Sequence, residues 1–160
     1  MRVALETLSA RLNWVAEQLL AILIAVTVVA VTAQVIFRYG IESSLTWSEE
    51  VARYSFIWSI FIGTSVAARR NQHIVVDIFV KAMPSYLQRW LGVANLAVCI
   101  AFFSLFVYVS ILLVQNAIPQ KSSSLEISIA WVYLSAVLGG GLTVLHIVNA
   151  LFPPLQGKRT

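Results

Sequence analysis

The chain has 160 residues, of which 59% are hydrophobic and 11% are charged, whereas about 25% of residues are charged in an average soluble domain. So few charges cannot cover a soluble domain of this length, which excludes a disordered chain and an ordinary cytosolic enzyme. The net charge of +4 is not a nucleic-acid footprint, because Lys and Arg lie between long apolar runs and not on one polar face. The single Cys99 excludes a disulfide framework within the chain.

Four long apolar runs predict four membrane-spanning helices. A helix of about 20 apolar residues crosses the ~30 Å hydrocarbon layer of a bilayer, and the first run holds 20 residues without a charge. The second run reaches full length only when Glu49, Glu50 and Arg53 lie in its first two helical turns. The predicted spans are residues 17–38, 47–69, 90–115 and 127–152. They predict one all-α membrane domain that covers residues 1–160.

The distribution of Lys and Arg predicts the orientation of the spans. Cytoplasmic segments of membrane proteins are enriched in these residues, and four spans place both termini on one side. With that side cytoplasmic, eight basic residues lie inside and three, Arg38, Arg53 and Lys121, lie outside. The eight are Arg2, Arg11, Arg69, Arg70, Lys81, Arg89, Lys158 and Arg159. We therefore expect both termini in the cytoplasm; a signal peptide cleaved after Val31-Thr32-Ala33 would need a core longer than the usual ~7–15 residues.

The segment 73–83 is too short and too charged to span a membrane, and its pattern predicts an amphipathic helix. Apolar residues recur at helical spacing on one face, while polar residues share the other face at i, i+4 and i+8. Such a helix is suited to lie on the cytoplasmic membrane surface; a plain loop is the alternative. The apolar face carries Ile74, Val75, Ile78, Phe79 and Ala82, and the polar face carries His73, Asp77 and Lys81.

Four charges near the predicted outer edge are the candidate functional residues. Arg38 ends the first span, and Glu49 and Glu50 lie four and three residues before Arg53, so that either glutamate can meet Arg53 on one helical face. Three interpretations stay open. The charges cap the helix and anchor it at the interface, they dock another membrane subunit, or they hold an ion or substrate. The third interpretation is disfavoured, because charges that neutralise each other leave little net charge to attract a ligand.

Small residues and the scarcity of polar ones indicate the kind of membrane protein. Ser55, Ser59, Gly63 and Ala67 lie four residues apart, and Gly139-Gly140-Gly141 lies in the fourth span; both features allow another helix to approach closely. A protein that moves a polar solute alone needs polar groups near the middle of the membrane, and these spans have few. The sequence therefore indicates a scaffold or accessory membrane subunit, without a cofactor or catalytic activity.

Two other classes of protein remain as alternatives. Glu17, at the start of the first span, is a candidate coupling group for a small proton-driven exporter acting as a homo-oligomer, although an acidic residue at a membrane edge is more often a solvated charge. His73 and His146 are candidate haem ligands in the membrane anchor of a redox enzyme. We expect the two histidines at different depths, which disfavours a haem, and His146 can instead hydrogen-bond a neighbouring helix.

Two short patterns carry a resemblance to a known family. Trp47-Ser48-Glu49-Glu50 opens the second span, and a His73-x-x-x-Asp77 pattern follows that span. Further matching positions are Phe37-Arg38-Tyr39, Ala52-Arg53-Tyr54, Trp58, Gly63, Ala67-Ala68-Arg69-Arg70, Trp131 and Tyr133. Over residues 12–152 the chain resembles the small membrane subunit of tripartite ATP-independent periplasmic (TRAP) transporters. Many members carry prolines where this chain has Ser128 and Val137, a difference that bears on the shape of the fourth helix.

The resemblance implies a DctQ-type small permease subunit of the bacterial inner membrane. Such a subunit pairs with a large membrane permease subunit and a periplasmic solute-binding protein. The whole system would import organic acids, such as dicarboxylates, keto acids or sialic acids, with an ion gradient, commonly sodium. Transport would belong to the large subunit, and the small one would act as its scaffold. On this resemblance the fold, the large subunit or membrane lipid would be held by Arg38, Trp47, Glu49, Glu50, Arg53 and Trp58.

Overall fold

A computed structural model describes residues 2–43, 45–69 and 84–150 of the chain. The described helices are α1 (Arg2–Gly40), α2 (Thr46–Arg69), α3 (Ser85–Ala117) and α4 (Ala130–Ala150). Each of the four is long and apolar enough to cross a membrane. The predicted all-α fold with four spanning helices is thereby confirmed. The predicted amphipathic helix at 73–83 lies outside the described residues.

The helices differ in length from the predicted spans for local reasons. Helix α1 begins at Arg2, well before residue 17, because charged residues such as Arg11 end an apolar run without ending a helix. Helix α4 begins at Ala130 and not at 127. The preceding residues form a turn, in which Lys121 and Ser128 make an isolated antiparallel bridge.

The four helices pack in an open row and not as a closed bundle. Helix α1 packs on α2, α2 packs on α4, and α4 packs on α3, while α1 touches α4 only in a small contact. The most apolar stretches of the central helices α2 and α4 are 33% and 44% buried, whereas those of the flanking helices α1 and α3 are each 6% buried. The flanking helices therefore present most of their apolar side chains outwards, towards lipid or a partner.

The small residues predicted to allow close packing lie at two helix contacts. A Cβ atom on Gly139 would lie 2.6 Å from the backbone oxygen of Phe61, so only glycine permits α4 to approach α2 this closely. On α2, Ser59 is buried and Gly63 lies against Leu20 of α1. Gly63 of α2 thus packs on α1, and Gly139 of α4 packs on α2.

The row has two chemically different ends, named here by the segments found at each. The loop end carries the connections at 41–45 and 118–129, between α1 and α2 and between α3 and α4. The terminal end carries the beginning of α1, the end of α2, the beginning of α3 and the end of α4. Both ends hold buried polar side chains, Glu50 at the loop end and Ser9 and His146 at the terminal end.

Candidate functional site: a carboxylate clamp at the loop end

The carboxylate of Glu50 is held by the connection between α3 and α4. Its Oε1 atom accepts hydrogen bonds from Ser123 Oγ and Ser124 N, both at 2.9 Å, and its Oε2 atom accepts one from Leu125 N at 3.0 Å. Glu50 is only 4% exposed. These four residues are called the loop clamp. Hydrogen bonds to a charged acceptor are stronger than neutral ones, so the clamp ties the beginning of α2 firmly to the α3–α4 connection.

Local backbone geometry turns the amide groups of the connection towards Glu50. Ser122 N donates to Ile127 O at 2.8 Å and Ile129 N donates to Gln120 O at 3.0 Å, which closes a short loop. Glu126 adopts a left-handed conformation, with φ of 55°. The hydroxyl of Ser128 lies 3.0 Å from Ile118 O and accepts from Ala130 N at 3.2 Å. Ser128 thus joins the end of α3 to the beginning of α4.

The four predicted charges do not form one cluster. Glu49 and Arg53 make the expected i,i+4 ion pair, 3.3 Å between Oε1 and Nη2, and both side chains are exposed. Glu50 does not pair with Arg53, because the amides of the α3–α4 connection occupy its carboxylate. Arg38 is exposed in the last turn of α1, and no described side chain forms an ion pair with it. The idea that these four charges neutralise one another is therefore wrong.

The two tryptophans of the predicted interface lie in different surroundings. Trp47 is exposed near the beginning of α2. Trp58 is half-buried and packs against the core residues Ala16, Ile62 and Val66. Trp58 thus stabilises the contact between α1 and α2, while Trp47 is available to lipid or a partner.

A second polar group, at the terminal end, was not predicted as a unit. Arg69 Nη1 donates to Ser9 Oγ at 2.5 Å, and Ser9 Oγ lies 2.9 Å from His146 Nδ1. These three residues, together with Asn13, are called the terminal cluster. It connects α1, α2 and α4. The sequence indicated only that His146 could bond a neighbouring helix, since Ser9 and His146 lie 137 positions apart.

Two atoms of the terminal cluster lack partners in the described structure. His146 Nε2 and Asn13 Oδ1 are buried and make no hydrogen bond there, while Asn13 Nδ2 donates to Glu17 Oε1 at 2.9 Å. The candidate coupling residue Glu17 is thus bound within its own helix. The second candidate haem ligand, His73, lies outside the described residues, so the structure does not show a histidine pair.

The loop clamp and the terminal cluster both connect helices that are long and apolar enough to cross a membrane. Within the described ranges, no group of three or more His, Cys, Asp or Glu side chains converges as a metal site would require. The molecule is a multi-pass helical membrane protein whose buried polar side chains connect its helices.

The family of the protein follows from comparison with known sequences. Residues 27–157 match the family model of tripartite ATP-independent periplasmic transporters, DctQ component. The chain belongs to this family, which confirms the resemblance carried by its second span. The family consists of transporter components.

Three relatives show the extent of the similarity. A putative TRAP transporter small permease protein of Haemophilus influenzae is 33% identical over 84 residues, 52% of each chain. A second such protein from the same organism is 31% identical over 121 residues, 75% of this chain and 72% of the relative. The sialic acid TRAP transporter permease protein SiaT of Haemophilus influenzae is 27% identical over 119 residues, 74% of this chain but only 19% of the relative. The matched region is therefore about half of the first relative and a small part of the last.

Proposed function

We propose that this chain is a small permease subunit that binds a large permease subunit and serves as its scaffold in an ion-driven importer. The fold supports this, because four spanning helices are connected at their ends while apolar surfaces remain uncovered on the flanking helices and on one side of α2. An open row of helices like this one is suited to extend the membrane-embedded part of a bigger complex. It lies in the bacterial inner membrane with both termini in the cytoplasm, as the positive charges favour.

The relatives support the proposed partner and the class of solute. In SiaT, and in the isethionate TRAP transporter permease protein DctMQ of Oleidesulfovibrio alaskensis, the matched region is 19% and 20% of a much longer permease chain. We propose that the remaining part of these long relatives corresponds to the large permease subunit, and that the region matched by this chain contacts it. The names of relatives include sialic acid, isethionate and C4-dicarboxylate. We propose an organic anion as solute, delivered by a periplasmic solute-binding protein and driven by an ion gradient, commonly of sodium.

The loop clamp is the single observation that carries the scaffold role. A carboxylate that accepts three hydrogen bonds from one connecting loop fixes α2 relative to α3 and α4 and offers no free charge to a solute. It behaves as a structural element of a rigid frame and not as a transport site.

Co-expression tests the proposal directly. The chain is produced with a candidate large TRAP permease from the same organism, and the complex is purified through a tag on the small subunit. We expect both subunits to co-purify, and uptake by proteoliposomes to require both together with the binding protein. Solute movement through vesicles that contain this chain alone would overturn the scaffold role and favour the exporter.

A further inference from the structure

One side of the central helix α2 remains open although the helix lies between α1 and α4. Glu49, Arg53, Phe56 and Ile60 follow one another at i, i+4, i+7 and i+11, and therefore share one face. All four are exposed; Phe56 is 55% and Ile60 is 48% exposed. These four residues are called the α2 stripe. It is polar at the loop end and apolar further along the helix.

An apolar hollow continues the α2 stripe towards the terminal end. Its volume is about 170 Å³, and Thr64, one turn beyond Ile60, forms part of its wall. Helix α4 contributes glycines and Thr143 to the lining, between phenylalanine rings of α2 and α3. The lining includes Phe61, Thr64, Phe102, Phe106, Gly140 and Thr143. The hydroxyls of Thr64 and Thr143 donate to their own helices, to Ile60 O and Gly139 O, so the hollow presents an apolar surface.

A polar depression lies at the other end of the α2 stripe. It is bordered by Glu49, Arg53, Ser123 and Ser124, where the loop clamp meets the exposed ion pair. The depression, the α2 stripe and the hollow thus follow one another along one face of α2, and together they are called the groove. Its polar part is at the loop end, and its apolar part lies deeper in the layer.

We propose that a membrane-spanning helix of the large permease subunit lies along this groove and inserts one bulky apolar side chain into the hollow. This inference rests on the proposed function and specifies which face of the helix row binds the large subunit. The open side of α2, and not the outer side of α1 or α3, is then the main contact between the subunits.

The shape of the hollow favours a helix side chain over a lipid tail. An apolar cavity of about 150 Å³ takes one benzene ring, so the hollow has the size of a single bulky side chain. Its walls are ordered by ring contacts, with Phe61 and Phe106 centroids 5.7 Å apart and those of Phe102 and Phe106 6.3 Å apart. Membrane helices associate through such close packing, whereas a mobile acyl chain loses conformational freedom when it is confined there.

The exposed ion pair and the longer relatives support the same occupant. The Glu49–Arg53 pair is exposed at the loop end, directly before the apolar Phe56 and Ile60, so a partner helix that covers the apolar residues can also bind the pair through its polar groups. Relatives such as SiaT contain the matched region within a longer permease chain. By contrast, the exposed positions Val29 on α1 and Leu105 on α3 are apolar, as expected for surfaces in contact with lipid.

Photo-cross-linking in the co-expressed complex tests the binding face. In a Cys99→Ala background, the variants Phe56→Cys and Ile60→Cys are labelled with a benzophenone maleimide and illuminated in native membranes. Val29→Cys and Leu105→Cys serve as controls of similar exposure. We expect adducts with the large subunit from the two α2 positions at several-fold higher yield than from the controls.

Filling the hollow provides a second measurement. Thr64→Phe should occupy the hollow and reduce recovery of the large subunit several-fold, while circular dichroism shows unchanged helix content. Val29→Phe, which adds the same ring on an outward face, should leave recovery unchanged.

The outcomes separate this inference from the proposed function. If the complex is recovered but the α2 positions label only phospholipid, or the α1 or α3 position labels the large subunit more strongly, the binding face is wrong and the proposed function stands. If the unmodified chain recovers no large subunit, both fall.

Discussion

The loop end and the terminal end of the molecule connect helices through different kinds of hydrogen bonds. Each connects helices through buried polar groups, which are costly in a membrane protein unless they are paired. At the loop end, the carboxylate of Glu50 accepts hydrogen bonds from two backbone amides and one hydroxyl of a single loop. At the terminal end, side chains from three helices meet, and His146 Nε2 and Asn13 Oδ1 have no partner among the described residues.

The difference indicates which end of the helix row is the more rigid. When Glu50 is removed, the amides of Ser124 and Leu125 cannot turn towards another acceptor within the protein, because the backbone of the turn fixes their direction. Side chains at the terminal end can instead choose new rotamers or new partners. We therefore expect the loop end to be the more rigid frame, and substitutions there to have larger effects on stability.

The largest expected effect is that of Glu50→Ala. It removes the acceptor of three donors at once and leaves the part-buried amides of Ser124 and Leu125 without their partner, which is the costly case for hydrogen bonds. The free energy of unfolding in detergent micelles, measured by chemical denaturation, should fall at least twice as far as for any terminal-end variant. Glu49→Ala, which removes only an exposed ion pair, is the matched control and should be nearly silent. Equal losses from the two variants would contradict the clamp.

The second effect concerns the contact between α2 and α4 that connects the two ends. In Gly139→Ala the new Cβ atom would lie 2.6 Å from the backbone oxygen of Phe61, so the helices must move apart. We expect a loss of about 1–3 kcal/mol, as for other overpacked sites.

The same helix offers a control for this variant. A Cβ atom on Gly141 would meet no neighbouring atom within 4 Å, so Gly141→Ala should be neutral or should stabilise the helix by up to about 1 kcal/mol. Thermal unfolding of both variants in the same detergent distinguishes them. A loss at Gly141 as large as at Gly139 would mean that helix propensity, and not helix spacing, decides the result.

The sequence predicted the features that depend on neighbouring residues. Long apolar runs predicted the four helices, because a spanning helix needs only length and low charge. The Glu49–Arg53 pair was predicted because i,i+4 neighbours meet on any helix. The family was recognised from Trp47-Ser48-Glu49-Glu50 and the residues around it.

The partners of the buried polar groups were not predictable, because they are distant in sequence. Glu50 contacts Ser123, Ser124 and Leu125, which lie 73 to 75 positions later in the sequence. Nothing in the sequence around Glu50 indicates that its carboxylate accepts from the amides of a turn and not from Arg53. The order of the helices in the row was equally hidden. Helices that are apolar on nearly every side carry no stripe that selects one neighbour.

The third effect tests the connection at the terminal end. Ser9→Ala removes the hydroxyl that lies between Arg69 and His146. We expect a loss of about 1 kcal/mol, typical of one net hydrogen bond, because Arg69 is only partly buried and can turn towards water or lipid headgroups. Chemical denaturation measures this loss, and Ser59→Ala, whose hydroxyl donates only to Phe56 O in its own helix, is the control. A loss no greater than that of the control would show that the cluster does not connect the helices.

The smallest expected effect is that of His146→Leu, and it makes the comparison of the two ends most direct. The imidazole is 2% exposed, with one nitrogen bonded to Ser9 and the other unpaired in the described structure. An apolar side chain of similar size removes the unpaired atom together with the bonded one. The Ser9 hydroxyl still accepts from Arg69, and its own O–H can donate to a carbonyl one turn earlier in α1, so the change should be small. Glu50→Leu places the same side chain at the loop end and should be severely destabilising, because it leaves fixed amides without an acceptor. Both variants are compared by unfolding in one detergent. Similar losses would mean that His146 Nε2 has a partner in the folded protein, and that both ends are held by fully paired polar groups.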